Sequence, residues 1–192
     1  MALPRPARNA SPKDFYLTYL PELWRAVAGD DADVPDAAVN VRVGKESYAT
    51  AITDGKFDTN AGEAPEAIAT FVSDLDSWRI ALLGLLPRLL KHVEPKLATV
   101  DIEARMRAFE PAPLRHKPGT IVVHYEDDAG DASKVTVTIG AGSGRKAEIH
   151  ATDSELWKLI EGSGRLSQLI TSRVRVSGDV AYVLELVRLI ET

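Results

Sequence analysis

The residues A-E-I-H-A-T-D-S-E-L-W-K-L-I-E-G-S-G-R-L-S-Q-L-I-T-S-R-V-R-V-S-G-D-V-A-Y-V-L-E-L-V-R-L, Ala147 to Leu189, decide how this chain folds. Ala147 to Ala151 alternates as a half-buried strand does. Asp153 or Ser154 is placed to cap a helix carrying Leu156, Leu159 and Ile160 on one face. Gly162 and Gly164 end that helix, and Leu166, Leu169 and Ile170 mark a second short one. Arg173 to Ser177 alternates again, with Val174 and Val176 on one side. Gly178-Asp179 then turns the chain and caps a final helix.

The same plan occurs earlier in the chain. A gapless shift of 78 positions lays A-T-F-V-S-D-L-D-S-W-R-I-A-L-L-G, Ala69 to Gly84, on Ala147 to Gly162. Gly84 meets Gly162 and Asp101 meets Asp179; upstream, Lys56 meets Lys134 and Gly62 meets Gly140. A period this long indicates two related domains in tandem, not a solenoid of short units. Glu110-Pro111-Ala112-Pro113 is the natural boundary. The expected layout is a disordered arm over residues 1–11, a first domain over 12–110 and a second, shortened domain over 111–192.

In the first domain, Ser11-Pro12 opens a helix whose apolar residues run from Phe15 to Val27, with Pro21 expected to kink or interrupt it. Strands follow at Val39 to Val43 and Ser47 to Thr53. Asp54-Gly55 is a hairpin turn, because glycine supplies positive φ. Lys56 to Asn60 pairs back, and a further strand spans Ala67 to Val72. Asp74 to Leu83 and the leucine-rich Leu85 to His92 are helices. Pro95 to Val100 is expected as a strand, and Ile102, Met106 and Phe109 as the stripe of an amphipathic helix. The second domain has strands at Thr120 to Tyr125 and Lys134 to Ile139, and lacks one strand and the opening helix.

Composition narrows the function. Hydrophobic residues make up 45% and charged residues 27%, enough for an ordinary core. With no cysteine there is no disulfide, thiolate metal site or cysteine nucleophile. A net charge of −5, with neither half basic, argues against nucleic acid as a partner. The longest apolar run, Ile80 to Leu86, is far below the roughly 20 residues of a spanning helix. The first residues have no apolar signal-peptide core, so a soluble, cytoplasmic protein is expected.

No catalytic constellation emerges, and no enzyme, cofactor or metal is expected. Gly140-Ala141-Gly142-Ser143-Gly144 follows a strand but precedes an alternating stretch, where a phosphate loop needs a helix; it is expected as a hairpin loop. His92, His116, His124 and His150 have no metal-ligand spacing. Asp153-Ser154 is better explained as a helix cap than as part of a triad with His150. Asp74 and Asp76 face a helix N-terminus, which suffices to explain them.

The V-x-V-S-G-D turn at Val174 to Asp179, and Glu46 to Ala67 with its D-G-K hairpin and G-x-A-x-x-A link, resemble the sterol carrier protein 2-type lipid-binding domains. The resemblance implies an α+β fold of two such domains, each a mostly antiparallel twisted sheet covered by helices. It also implies an apolar tunnel between sheet and helices that holds a sterol, fatty acyl chain or other lipid without chemistry. Two apolar surpluses supply candidate lining residues. The first copy offers Leu82, Leu85, Leu86, Leu89 and Leu90. The second offers Leu156, Leu159, Ile160, Leu169, Val183, Leu186 and Val187. A lipid or other apolar small molecule is the expected partner, with transient membrane contact. The alternative is a protein-interaction or homodimerisation module with collapsed pockets, the apolar last helix serving as its interface.

Overall fold

The computed structural model describes residues 3–7, 9–29, 32–96, 110–142, 144–160, 167, 170 and 174–190. The alternating stretches of both halves pair into one eight-stranded sheet. Its strands are β1 (Ala37–Val43), β2 (Glu46–Thr53), β3 (Lys56–Ala61), β4 (Ala69–Ser73), β5 (Gly119–Glu126), β6 (Ala132–Ile139), β7 (Arg145–Thr152) and β8 (Arg175–Gly178). They lie in the order β3-β2-β1-β4-β6-β5-β7-β8, and β1 with β4 and β5 with β7 are the parallel pairs. The fold is α+β with a mostly antiparallel sheet.

A separate sheet in each half was the expectation; instead β4 and β6 pair antiparallel, from Ala69 opposite Ile139 to Val72 opposite Thr136. Joining the halves satisfies two rows of backbone groups that separate sheets would leave at their edges. Within each half the course is the same. β1 pairs antiparallel with β2 and parallel with β4, and β5 does so with β6 and β7. A helix follows both β4 and β7.

Upstream, the 78-residue shift matches sequence but not position: β3 is an outer strand, whereas β6 lies between β4 and β5. The second half therefore has one strand fewer before its crossover, as its sequence suggests. It also follows that Gly140 to Gly144 is not a hairpin loop. It joins β6 to β7, which lie on opposite sides of β5.

The opening helix is α1 (Pro12–Asp14), a π-helical segment Phe15–Tyr19, and α2 (Leu20–Ala28). Ser11 caps it, its hydroxyl accepting from Asp14 N at 3.1 Å. Pro21 does not break it. The Leu20 N–H reaches back five residues to the Phe15 carbonyl, and this wide turn puts Pro21 in the first turn of α2, where a missing N–H costs nothing. The same device recurs after β4, with α3 (Leu75–Trp78), a π-helical segment Arg79–Gly84, and α4 (Leu86–Val93) with Pro87 in its first turn. Glu94–Lys96 is a 3-10 turn and not the start of a strand. The rest of that expected strand, and the helix at Ile102, Met106 and Phe109, lie outside the described residues. Further helices are α5 (Ala112–Arg115), α6 (Asp153–Ile160) and α7 (Val180–Ile190), and the described Ser167 and Ile170 are also helical, where a second short helix was expected.

Among the described residues, two hydrophobic clusters lie between these helices and the sheet. The first gathers Leu3, Phe15, Tyr16, Tyr19, Val43, Tyr48, Trp78 and Leu90. The second gathers Ile68, Leu114, Ile121, Ile139, Ala147, Ile170, Tyr182, Val183, Leu186 and Val187. The arm expected to be disordered is part of the first: Leu3 is 4% exposed, and its N–H donates to Glu94 Oε1 at 2.6 Å. Arg5 donates to the Pro87 carbonyl at 2.7 Å, and Tyr19 Oη donates to the Pro4 carbonyl at 3.2 Å. Leu3 and the hydrogen bonds of Leu3, Pro4 and Arg5 dock the arm, a signal that composition hides.

In the second cluster Tyr182 is fully buried and its hydroxyl donates to the Lys117 carbonyl at 2.9 Å. Its ring lies against Gly119, where a Cβ would sit 2.5 Å from a ring carbon. Gly119→Ala is expected to cost about 1–3 kcal/mol by overpacking. A urea midpoint lowered at unchanged m would show it. No helix among the described residues is long and apolar enough to cross a membrane.

Candidate functional site

Alternation along β1 sends Val39 and Val41 toward the helices, opposite Thr50 and Tyr48 of β2. Phe71 of β4 and Val135 of β6 face the same way. Tyr16 and Leu20 approach from the opening helix, and Trp78, Ala81 and Leu82 from the segment after β4. Between them is a cavity of about 270 Å³, lined by these residues together with Ser73.

Aromatic rings pack along one side of the cavity, with Tyr16 and Trp78 lining it. Tyr16 stacks on Tyr48 with ring centroids 5.0 Å apart, and Phe15 meets Trp78 edge-on at 5.6 Å. Trp78 Nε1 donates to Tyr16 Oη at 3.1 Å. Burial pushes the Tyr16 hydroxyl up to about 12, only partly opposed by that hydrogen bond, so it stays neutral at physiological pH. Of the hydroxyl-bearing lining residues Tyr16, Thr50 and Ser73, Thr50 has its Oγ1 buried with no hydrogen-bond partner among the described residues. An unsatisfied buried hydroxyl costs about 1–3 kcal/mol.

Of the candidate lining residues, Leu82 borders this cavity. Leu86 packs with Leu82 against the first cluster, Leu90 is buried within it, and Leu85 and Leu89 are half-buried. Val183, Leu186 and Val187 are buried in the second cluster, facing the sheet, so the chain itself covers most of the apolar surplus of α7. Leu156 is half-buried on α6. The side chains of Leu159 and Ile160, and Leu169 altogether, lie outside the described residues. The sequence reasoning missed Tyr16, Val39, Val41, Phe71, Trp78 and Val135. Their inward alternation is legible, but only strand order shows that β1, β4 and β6 are neighbours.

Asp153 is the first residue of α6 and Ser154 the second, so neither is its cap. The cap belongs to Thr152, whose N–H and Oγ1 donate to Glu155 Oε2 at 2.8 and 3.0 Å. Under the 78-residue shift Thr152 takes the place of Asp74, which caps α3 by accepting from Ser77 N at 2.7 Å. The Asp153 carboxylate is 2% exposed, and it accepts from Tyr125 Oη at 2.6 Å and from Arg88 Nη1 at 2.8 Å. Arg88 also lies over the Trp157 ring, 4.7 Å from its centroid. This group ties α4 of one half to β5 and α6 of the other. A second network fastens α7: Arg145 pairs with Asp179 at 2.8 Å and with Glu185, Lys117 also pairs with Glu185, and Asp179 caps the helix at Tyr182 N.

Burial opposes the charge of Asp153, yet Tyr125, Arg88 and the carboxyl of Asp128 together hold it below the usual carboxylate range. Asp128, hydrogen-bonded to Asp153, is held above that range. Arg145 lowers Asp179, and Lys117 with Arg145 lowers Glu185. A lowered carboxyl stabilises the fold above its unfolded value, about 4, and that stability is lost as pH falls through the lowered folded value. The raised Asp128 works in the opposite sense, losing its contribution as pH rises through its folded value. Thermal denaturation is therefore expected to show a melting temperature that falls below about pH 4, with a shallower acid limb in Asp153→Asn.

The histidines also depart from expectation. His124 and His150 are register partners on β5 and β7, and their rings stack with centroids 4.4 Å apart. Register, not sequence spacing, brings them together.

No protein-family model matches the chain, and no curated protein matches it.

Proposed function

We propose that the protein binds an apolar ligand with one polar group in the cavity between β1, β4, β6 and the helices of the first half. It holds or presents that ligand without chemistry, in the manner of a sterol carrier protein 2-like domain. The observation that carries this reading is the cavity's lining: about 270 Å³ walled by aliphatic and aromatic side chains, with one unpartnered hydroxyl, Thr50 Oγ1. An apolar cavity of about 150 Å³ already binds benzene. Burial of hydrocarbon at about 25 cal/mol per Å² supplies affinity, and the hydroxyl offers one orienting hydrogen bond. The volume favours a single chain or small ring system over a large fused one. In the second half, Tyr182, Val183, Leu186 and Val187 occupy the space over the sheet, which supports a single binding copy.

Titration with a fluorescent fatty acid analogue tests the reading. Wild type is expected to bind one equivalent in competition with unlabelled fatty acid. Thr50→Val should weaken binding of ligands with a polar end by about tenfold, the worth of one hydrogen bond near 1.4 kcal/mol. It should also stabilise the empty protein by about 1–2 kcal/mol, since an orphaned hydroxyl is removed. A wild-type chain that binds no such probe argues against the proposal.

A homodimer through the outer face of α7 is the second reading, favoured by Val180, which is 40% exposed beside half-buried Leu184. A concentration-dependent dimer that Val180→Asp converts to monomer would support it; Leu184 packs against the second cluster, so its substitution also disturbs the core. Val187→Asp is no test of an interface, because Val187 is 4% exposed within the core.

A further inference from the structure

The sheet face opposite the helices carries a group of side chains that the proposed ligand cavity does not use. His124 projects from β5, and Glu148 and His150 project from β7, all at positions alternating with the core-facing Ile121, Ala147 and Ile149. Because β5 and β7 are parallel and His124 is level with His150, the two imidazoles stack face to face, their planes within 5° of parallel. Glu148, two residues before His150, lies beneath both: its Oε2 is 3.7 Å from His124 Nε2 and 3.8 Å from His150 Nε2. These separations exceed a hydrogen bond, so the three groups do not satisfy one another.

We infer that His124, Glu148 and His150 form a binding site for a divalent transition metal ion of the zinc class. Their ligand atoms all lie within 4.8 Å of one another. Ligands around a tetrahedral ion with bonds of about 2.0–2.1 Å stand roughly 3.3 Å apart. Closing the remaining distance requires the imidazoles to rotate out of their stack until both lone pairs meet at one point. The side chains have room to do so, being 33%, 54% and 43% exposed for His124, Glu148 and His150.

Two imidazoles and one carboxylate suit zinc, cobalt, nickel or copper(II), and not calcium or magnesium, which need more oxygen ligands. The flanking charges point the same way. Lys134 is level with His124 on β6 and Arg175 with His150 on β8, and Glu126 is the next residue outward on β5. These cations offset the carboxylates, so affinity must come from the imidazole lone pairs. A hollow of about 380 Å³ beside the histidines, bordered by Glu126, Glu155 and Arg175, leaves room for a water or a further donor at the open coordination position.

Titration of the metal-free full chain with Zn²⁺ by calorimetry, and with Co²⁺ by visible absorption, tests the site. One ion per chain is expected, with a loss of at least about tenfold in affinity for His150→Ala and for His124→Ala, and a smaller loss for Glu148→Gln. His116→Ala should bind as wild type does. Proton NMR of the wild-type chain supplies a readout free of folding effects: Zn²⁺ should shift the imidazole signals of two of the four histidines. Absence of binding, unchanged affinity in a folded His150→Ala, or shifts at histidines other than His124 and His150 would each overturn the inference.

Discussion

Asp153→Ala is expected to lower the stability of the folded chain by about 2–3 kcal/mol. Removing one partner of a buried charge pair costs about 3–5 kcal/mol, because the other is left without compensation. Arg88 is 48% exposed and turns to water more easily than a buried cation, which reduces the figure. Tyr125 has no such escape: it is 5% exposed, and its hydroxyl loses the acceptor at 2.6 Å. At this chain length each kcal/mol moves the melting temperature by about 2–4 °C. Asp153→Asn, which keeps an acceptor oxygen, should lose less. Tyr125→Phe in the Asp153→Ala background should recover part of the loss, since removing both partners is milder than orphaning one. If Asp153→Ala stays within about 0.5 kcal/mol of wild type, the range of neutral surface substitutions, the carboxylate does not tie the halves together.

Ala81→Phe is expected to reduce ligand affinity at least about tenfold, with the folded state unharmed or stabilised by about 0.5–2 kcal/mol. Ala81 borders the cavity from the π-helical segment Arg79–Gly84, so a ring added there takes the volume the ligand needs. Stability and affinity moving in opposite directions distinguish this from general damage to the fold. Calorimetric or fluorescence titration beside a thermal melt measures both. If Ala81→Phe binds the same ligand with unchanged affinity, the site lies elsewhere.

The strands of the sheet, the Asp54-Gly55 hairpin and the last helix were legible in the sequence because each is a local matter of alternation, turn chemistry and capping. The strand expected from Pro95, by contrast, was not borne out at Pro95 and Lys96. The likeness between the halves was legible where β4 and β7 each lead into a helix. It misled at Lys56 and Lys134, since similar strands occupy an edge in one half and the middle of the sheet in the other. Pro21 looked like a break because periodicity does not register the extra residue of a π turn, which moves the proline to a tolerated place. Asp153 read as a cap because nothing local marks it for burial; Arg88, 65 residues earlier, becomes its partner only after folding. Of the cavity, the leucine surplus reached Leu82 alone; the other walls are mostly valines and aromatics whose convergence depends on β1, β4 and β6 lying side by side. His124 and His150, far apart in sequence, were invisible as a pair for the same reason.

Native mass spectrometry of the freshly purified chain, followed by organic extraction and analysis of the extract, tests the central claim most directly. The account predicts one apolar molecule per chain, released on extraction and absent from Ala81→Phe. A bare wild-type mass that stays bare after incubation with fatty acids would contradict it.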